Sequence, residues 1–258
     1  MSKPLKWLAF SCPHCPLEDK AAVDWLLGRI SDEKPDVIVH LGDGHEADSA
    51  SRWPSEYDFT LDDELESHNN FLKRVREAHP KSRRVFLPGN HESNLGEIGR
   101  IDRRLRTLCD YRSAKNEPEL AAHWEQPCDY VYDRRRGVFR IGQVAFCHGF
   151  ECGQSSDEFQ SILLGVPFGL FVSGHTHRPT PQIGRARRSS AVPLPYWYAN
   201  AGCLRTLKPA YMARKRSHSW GQGIVIGEAV PTKSPRMSRQ WDARVEIFKL
   251  SDEDNYEF

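Results

Sequence analysis

No apolar run in this chain approaches the length of a transmembrane helix, so a membrane-spanning role is not expected. Excess charge of either sign is missing too. Lys and Arg total 36 against 35 Asp and Glu, which argues against a dedicated nucleic-acid coat or a membrane-surface protein but leaves local patches open. Residues 1–6 are followed by only a short apolar stretch and do not read as a secretory signal. The seven cysteines are an odd, scattered set, at 12, 15, 109, 128, 147, 152 and 203, and are expected as reduced thiols in a cytoplasmic protein. Neither an internal repeat nor a low-complexity linker divides the 258 residues, and a single domain, 1–258, is expected, with a basic strand-and-loop part at 205–258. Nothing in the sequence indicates an oligomeric state.

What the chain does have is five short motifs in a fixed order. They are Cys12-Pro13-His14, Gly42-Asp43-Gly44-His45-Glu46, Gly89-Asn90-His91-Glu92, His148-Gly149 and Gly174-His175-Thr176-His177. Each follows a short apolar run that reads as a strand: 7–11, 37–41, 85–87, 144–147 and 170–173. Loops at the ends of strands can meet on one rim of a sheet, so one metal site assembled from distant segments is expected.

Between the strands, 17–30 and 61–78 carry apolar residues at helical spacing, and the second runs from acidic to basic as a helix dipole favours. Residues 46–60 read as an irregular polar insertion, 95–108 as a helix with a basic face, and 110–128 as ambiguous. Beyond 130, strands are expected at 130–132, 138–141, 196–200, 223–227 and 244–250, with Arg134, Arg135 and Arg136 at a hairpin tip and a helix at 156–164. The tail, 251–258, is acidic.

The ligand chemistry can be counted. His14, His148, His175 and His177 are borderline nitrogen donors. Asp43 can bridge two ions, Asn90 offers a neutral oxygen, and Cys12 offers a thiolate. Seven ligands exceed the need of one tetrahedral ion, whereas a shared Asp43 gives two ions four ligands each. Taken singly, each residue has a plain structural alternative: a core histidine, or a turn-forming Asp or Asn after glycine. Their joint order is what weighs against those alternatives.

In this order the motifs resemble the calcineurin-like metallophosphoesterases, whose pattern is D-x-H, G-D-x-x-D/N/E, G-N-H-D/E, an isolated His, and G-H-x-H. The resemblance runs from about residue 7 to 203, where Asn200-Ala201-Gly202 matches a closing turn. It implies a four-layer α/β/β/α sandwich of two mixed sheets and hydrolysis of a phosphoester by a hydroxide held between two ions of Mn, Fe or Zn. It further implies Cys12, His14, Asp43 and His177 around one ion, and Asp43, Asn90, His148 and His175 around the other. His91 would protonate the leaving oxygen, and the Glu46 carboxylate would pair with His91 and raise its pKa. Arg178 and Arg205 follow site-forming loops and are the candidates for phosphate contact.

Cys12 departs from the family's Asp. A thiolate favours Zn or Fe at the first site and raises the alternative of a catalytically weakened metal-binding protein. Basic segments at 100–106, 134–136 and 205–216 favour a phosphodiester of a nucleotide or nucleic acid as substrate. A remoter alternative treats Cys12-Pro13-His14-Cys15 as the redox centre of a thiol-disulfide oxidoreductase. That reading leaves the other four motifs without a purpose.

Overall fold

A computed structural model of the chain describes residues 3–48, 51, 57–132, 136–153, 156–166, 169–186, 195–207, 220–231 and 240–248. The expectations for Arg134, Arg135, most of the basic stretch after 207 and the acidic tail lie outside the described residues.

Strand β1 (Leu5–Phe10) alternates its side chains. Trp7 and Ala9 enter one buried cluster, and Leu8 and Phe10 enter another on the opposite face. It pairs in parallel with β2 (Val37–His40), which pairs in parallel with β3 (Arg83–Phe86). On its other side lie the antiparallel β9 (Gly223–Ala229) and β10 (Trp241–Ile247), giving the order β10-β9-β1-β2-β3.

The second sheet has the order β4-β5-β6-β8-β7. Its strands are β4 (Phe139–Ile141), β5 (Val144–Phe146), β6 (Gly169–Ser173), β7 (Thr180–Ala186) and β8 (Pro195–Asn200). Here β5, β6 and β8 run parallel, flanked by antiparallel β4 and β7.

Apolar side chains of both sheets meet between them. Trp7 of the first sets its ring edge against Phe146 of the second, centroids 5.0 Å apart. The outer face of the first sheet is covered by α1 (Lys20–Glu33), α2 (Leu61–Ala78) and α4 (Pro118–His123) through Val23, Leu26, Leu72, Val75 and Leu120. Helix α5 (Ser156–Leu163) packs on the second sheet at β6. This is the expected sandwich of two mixed sheets with helices outside.

Helix α2 has the expected bounds because both ends are written locally. Thr60 and Asp63 form a reciprocal capping box, and Arg76 lies in the last turn. Two other helices differ from the periodicity reading. Helix α1 starts at Lys20, not Leu17, because the Asp19 carboxylate takes the Ala22 N–H and fixes the start. Helix α3 (Asn90–Ile101) begins five residues before the expected Leu95 and stops seven before Leu108. Glu92 caps its first turn, and the Asp102 carboxylate takes the Arg104 N–H and turns the chain back. The expected strand at 130–132 is only a single bridge between Val131 and Arg136. The last strand lies three residues earlier than expected. No helix among the described residues is long and apolar enough to cross a membrane.

Candidate metal centre

The parallel strands β1, β2, β3, β5 and β6 all release their chain on one rim, and the five motifs are the segments that leave them. Backbone hydrogen bonds zip the loops together. Cys12 N–H donates to Gly42 O at 3.0 Å, His14 N–H to Asp43 O at 3.1 Å, and Gly174 N–H to His148 O at 2.8 Å. Asn200 ties the last loop down, donating to Gly174 O at 2.7 Å and accepting from Gly202 N–H at 2.9 Å. Gly42 is needed where it stands. Its φ is +95°, and a Cβ there would lie 2.5 Å from Gly89 N.

Several ligand candidates share that backbone conformation without glycine's freedom. Cys12, His14, Asp43, His175 and His177 have φ of 54°, 52°, 53°, 63° and 57°. Non-glycine residues in this region are uncommon and costly, and they cluster at functional sites.

Asp43 is the hub. Its Oδ2 lies 3.1 Å from His148 Nε2, 3.8 Å from His14 Nε2, and 4.0 Å from both His91 Nε2 and Cys12 Sγ. On one side, Cys12, His14 and His177 surround it, with His14 Nε2 and His177 Nε2 only 3.1 Å apart. On the other are His148 and His175, with Asn90 Oδ1 at 3.2 Å from His148 Nε2 and 2.9 Å from His175 Nδ1. Thus all seven expected ligands converge, in the two groups expected.

Tautomers are fixed from behind. Leu41 O can only accept, so His148 Nδ1, 2.5 Å away, carries a proton and Nε2 is left to face Asp43 and Asn90. The Glu46 carboxylate plays the same part for His14, its Oε2 lying 2.7 Å from Nδ1, although the angle is not that of a good hydrogen bond.

The electrostatics suit a cation. Burial, helped by His148 for the first and by His14 and Arg205 for the second, lowers the pKa of His175 to about 4 and that of His177 well below its ordinary value. Burial also outweighs Glu46 and lowers His14. These imidazoles therefore keep their lone pairs at neutral pH, as ligation requires. Burial alone would raise Asp43, but His148, His91 and His14 hold it well below the usual carboxylate range. Burial, seconded by Asp43, pushes the Cys12 thiol up; an adjacent metal ion reverses that preference. The donor set, soft and borderline with one carboxylate, fits transition-metal binding.

His91 lies mostly buried beside this group, its side chain 24 % exposed. Its Nδ1 donates to the Glu46 backbone carbonyl, and its Nε2 faces Asp43. Burial lowers its pKa, but Asp43 and Glu46 together raise it above the ordinary value. The expected pairing of the Glu46 carboxylate with His91 therefore takes another form. The carboxylate is engaged by His14 and by Arg205 Nη1 at 3.1 Å, and it is the backbone oxygen that holds His91. Burial raises the Glu46 pKa, but His14, His91 and Arg205 outweigh it and lower it to about 2.

Arg205 is 1 % exposed, with its guanidinium over the Trp220 ring at 5.7 Å, so it braces Glu46 from inside. Arg178 is exposed at the rim. His45 turns away into a buried cluster with His68 and Glu117. Cys15 is fully buried in the apolar cluster on the outer side of the first sheet, with Glu18 and Ser67 beside its thiol, and is not among the residues grouped around Asp43. The two-sheet sandwich is also not the fold of thiol-disulfide oxidants.

Two positions were not singled out from the sequence. Buried Glu92 accepts from Gly89 N–H at 2.6 Å, Gly44 N–H at 2.7 Å and Asp43 N–H at 3.1 Å, joining the second and third motifs. Its signal was its place three residues after Gly89 at a helix start. Trp220, 4.3 Å from the His177 ring, carries no local signal at all.

Comparison with known proteins places this geometry. Among solved structures, the phosphoesterase Yfce from E. coli is 14% identical, with 88% of this chain and 93% of that one covered and a TM-score of 0.39. Vacuolar Protein Sorting 29 from Cryptosporidium parvum is 12% identical, with 96% and 99% covered and a TM-score of 0.44. The nuclease MPE from Pseudomonas putida is 13% identical, with 85% and 82% covered and a TM-score of 0.37. No curated protein sequence matches. The calcineurin-like phosphoesterase family model matches residues 5–179, a span that holds every residue gathered around Asp43, and the chain belongs to that family.

Proposed function

We propose that the chain is a metal-dependent phosphodiesterase that works with two transition-metal ions and cleaves the diester of a nucleotide or a nucleic acid. The observation that carries the reading is the convergence of imidazole nitrogens on the Asp43 carboxylate: His148 Nε2 at 3.1 Å on one side, the His14–His177 nitrogen pair 3.1 Å apart on the other. A carboxylate ringed by imidazole nitrogens and a thiol is a donor set that transition-metal ions can use.

Bound ions would neutralise phosphoryl oxygens and acidify a water into the nucleophile. The chain supplies the rest. Asp43 joins the two ligand groups. The Glu46 backbone carbonyl holds the His91 ring by Nδ1, so that Nε2 presents its proton toward the space above Asp43. A raised His91 pKa keeps that proton available near neutral pH for a departing alkoxide. Glu46, itself held by Arg205, orients His14. A metal-binding protein without turnover is the competing reading, motivated by Cys12 in place of the family's Asp.

One experiment tests both. Protein reconstituted with Mn, Fe or Zn is assayed for metal content and for hydrolysis of bis(p-nitrophenyl) phosphate against p-nitrophenyl phosphate. Two ions per chain and preference for the diester are expected. His91→Ala should keep both ions and lose about 10²–10⁴-fold in kcat on a diester with a poor leaving group. Saturation at one ion, or loss of metal in His91→Ala, would refute the assignment. Full metal content without turnover would favour the competing reading.

A further inference from the structure

A groove lies along α3, lined from Pro88 and Glu92, at the third motif, to the chain after the helix. It encloses about 600 Å³. Its lining includes Tyr132, whose ring lies 5.5 Å from that of the ligand candidate His148, and Ser93, two residues after His91 on the same helix. Its outer end is lined by four arginines, Arg100, Arg103, Arg106 and Arg112, all exposed.

The arginines stand together because the chain reverses after α3. Residues 102–109 fold back beneath the helix, so close that a Cβ on Gly99 would lie 3.1 Å from Cys109 Cβ. This places Arg103 and Arg106 on the same wall as Arg100. Glu97 and Asp110 also line the groove and offset part of the charge. Arg100 pairs with Glu97 at 2.5 Å, but exposed pairs of this kind are weak and can be exchanged for a phosphate. Midway along the helix Gly96 leaves the wall open, with nothing within 4 Å of where its Cβ would stand.

We infer that this groove holds the single strand of a nucleic-acid substrate, its phosphates on the arginines and a base against Tyr132. The inference rests on the phosphodiesterase reading and extends it from the scissile bond to the strand that flanks it. From Ser93 to Arg100 the helix advances about 10 Å, at 1.5 Å per residue. That length spans about three nucleotides of a stacked strand, at 3.4 Å each, before the cluster of arginines begins. An aromatic ring at one end and a guanidinium row at the other is the combination that holds single strands: every base has a face to stack, and every link a charge to neutralise. A recess of this volume on one side of one helix has room for a few nucleotides of a strand.

The test is binding, read independently of cleavage. Fluorescence anisotropy of metal-loaded protein is measured with labelled oligothymidylates of two to eight nucleotides, linked by phosphorothioates to resist hydrolysis. Affinity is expected to rise with length to about four nucleotides and then level off. The double variant Arg103→Ser, Arg106→Ser should flatten that rise and reduce the salt slope by about 1.4, at about 0.7 per phosphate contact on a single strand. A Cβ at Gly96 meets no neighbour, so Gly96→Phe is the variant chosen to add bulk to the open wall. It should weaken binding of the longer strands about tenfold with the circular dichroism spectrum and metal content intact.

Affinity independent of length, or unchanged in both variants, would overturn the groove. Inorganic polyphosphate of equal charge binding as tightly would overturn the nucleic-acid assignment. Hydrolysis of the small diester answers the other question. A chain that cleaves it but binds strands without regard to length retains its activity and loses the groove, and one that binds strands by length without cleaving anything retains the groove.

Discussion

At the scale of single residues, Cys12 is the informative position. Its Sγ lies 2.9 Å from Ser11 Oγ and faces Asp43, whereas Cys15, three residues on, is buried away from Asp43 with Glu18 and Ser67 beside its thiol. The two thiols therefore have different chemistry ahead of them. Cys12→Ser should weaken the ion held with His14 and His177, and Cys12→Asp should restore binding with a shift from Zn toward Mn. Cys15→Ser should leave metal content as it was. Elemental analysis of the three variants checks this, and equal metal in wild type and Cys12→Ala would make the thiol a bystander. The residues grouped around Asp43 could be singled out because each sits in a short motif after an apolar run. The partner of Glu46 was not. A carboxylate that reaches His14 across the loop, with Arg205 behind it from a position 159 residues away in sequence, leaves no mark in local spacing.

Among the elements, α3 and the loop after β2 act as one unit through Glu92. One carboxylate satisfies three N–H groups that no helix bond could reach. Removing it strands all three in a buried place. Glu92→Ala should lower stability by about 3 kcal/mol or more, because hydrogen bonds to a charged acceptor contribute about 1.5–3 kcal/mol each and the donors lose their partner without gaining water. Urea unfolding with and without metal measures it. A loss below 1 kcal/mol would mean that water replaces the carboxylate, contrary to the roughly 1–3 kcal/mol cost of an unmet buried donor. The same residue explains where the sequence reading of this helix went astray. Apolar spacing begins at Leu95, but the helix is started by a cap at Glu92 that periodicity does not register. Helix α2 was legible to both ends because its capping box and its charges lie next to its apolar stripe. Parallel pairing of β1, β2 and β3, with a helix between each, could be inferred only as a class. The order β10-β9-β1-β2-β3 depends on contacts across more than 200 residues.

For the whole molecule, the two parallel sets of strands bring their ends to one rim, and the apolar core between the sheets fixes how far apart those ends stand. A core of interlocked side chains resists small changes of spacing, so the loops must bend to meet the ligand geometry. They do so with five non-glycine residues in the left-handed region, each disfavoured by about 1–3 kcal/mol. Function and robustness are consequently opposed in this chain. Replacing a ligand such as His175 by glycine should abolish its ion site yet leave the metal-free protein as stable as before, or more so by about 1 kcal/mol, since glycine accepts that φ freely. Chemical unfolding in chelator reads the difference; a clear loss of stability would show that the imidazole contacts outweigh the backbone. Under selection for heat resistance without metal, the ligand positions themselves would be the first to be lost.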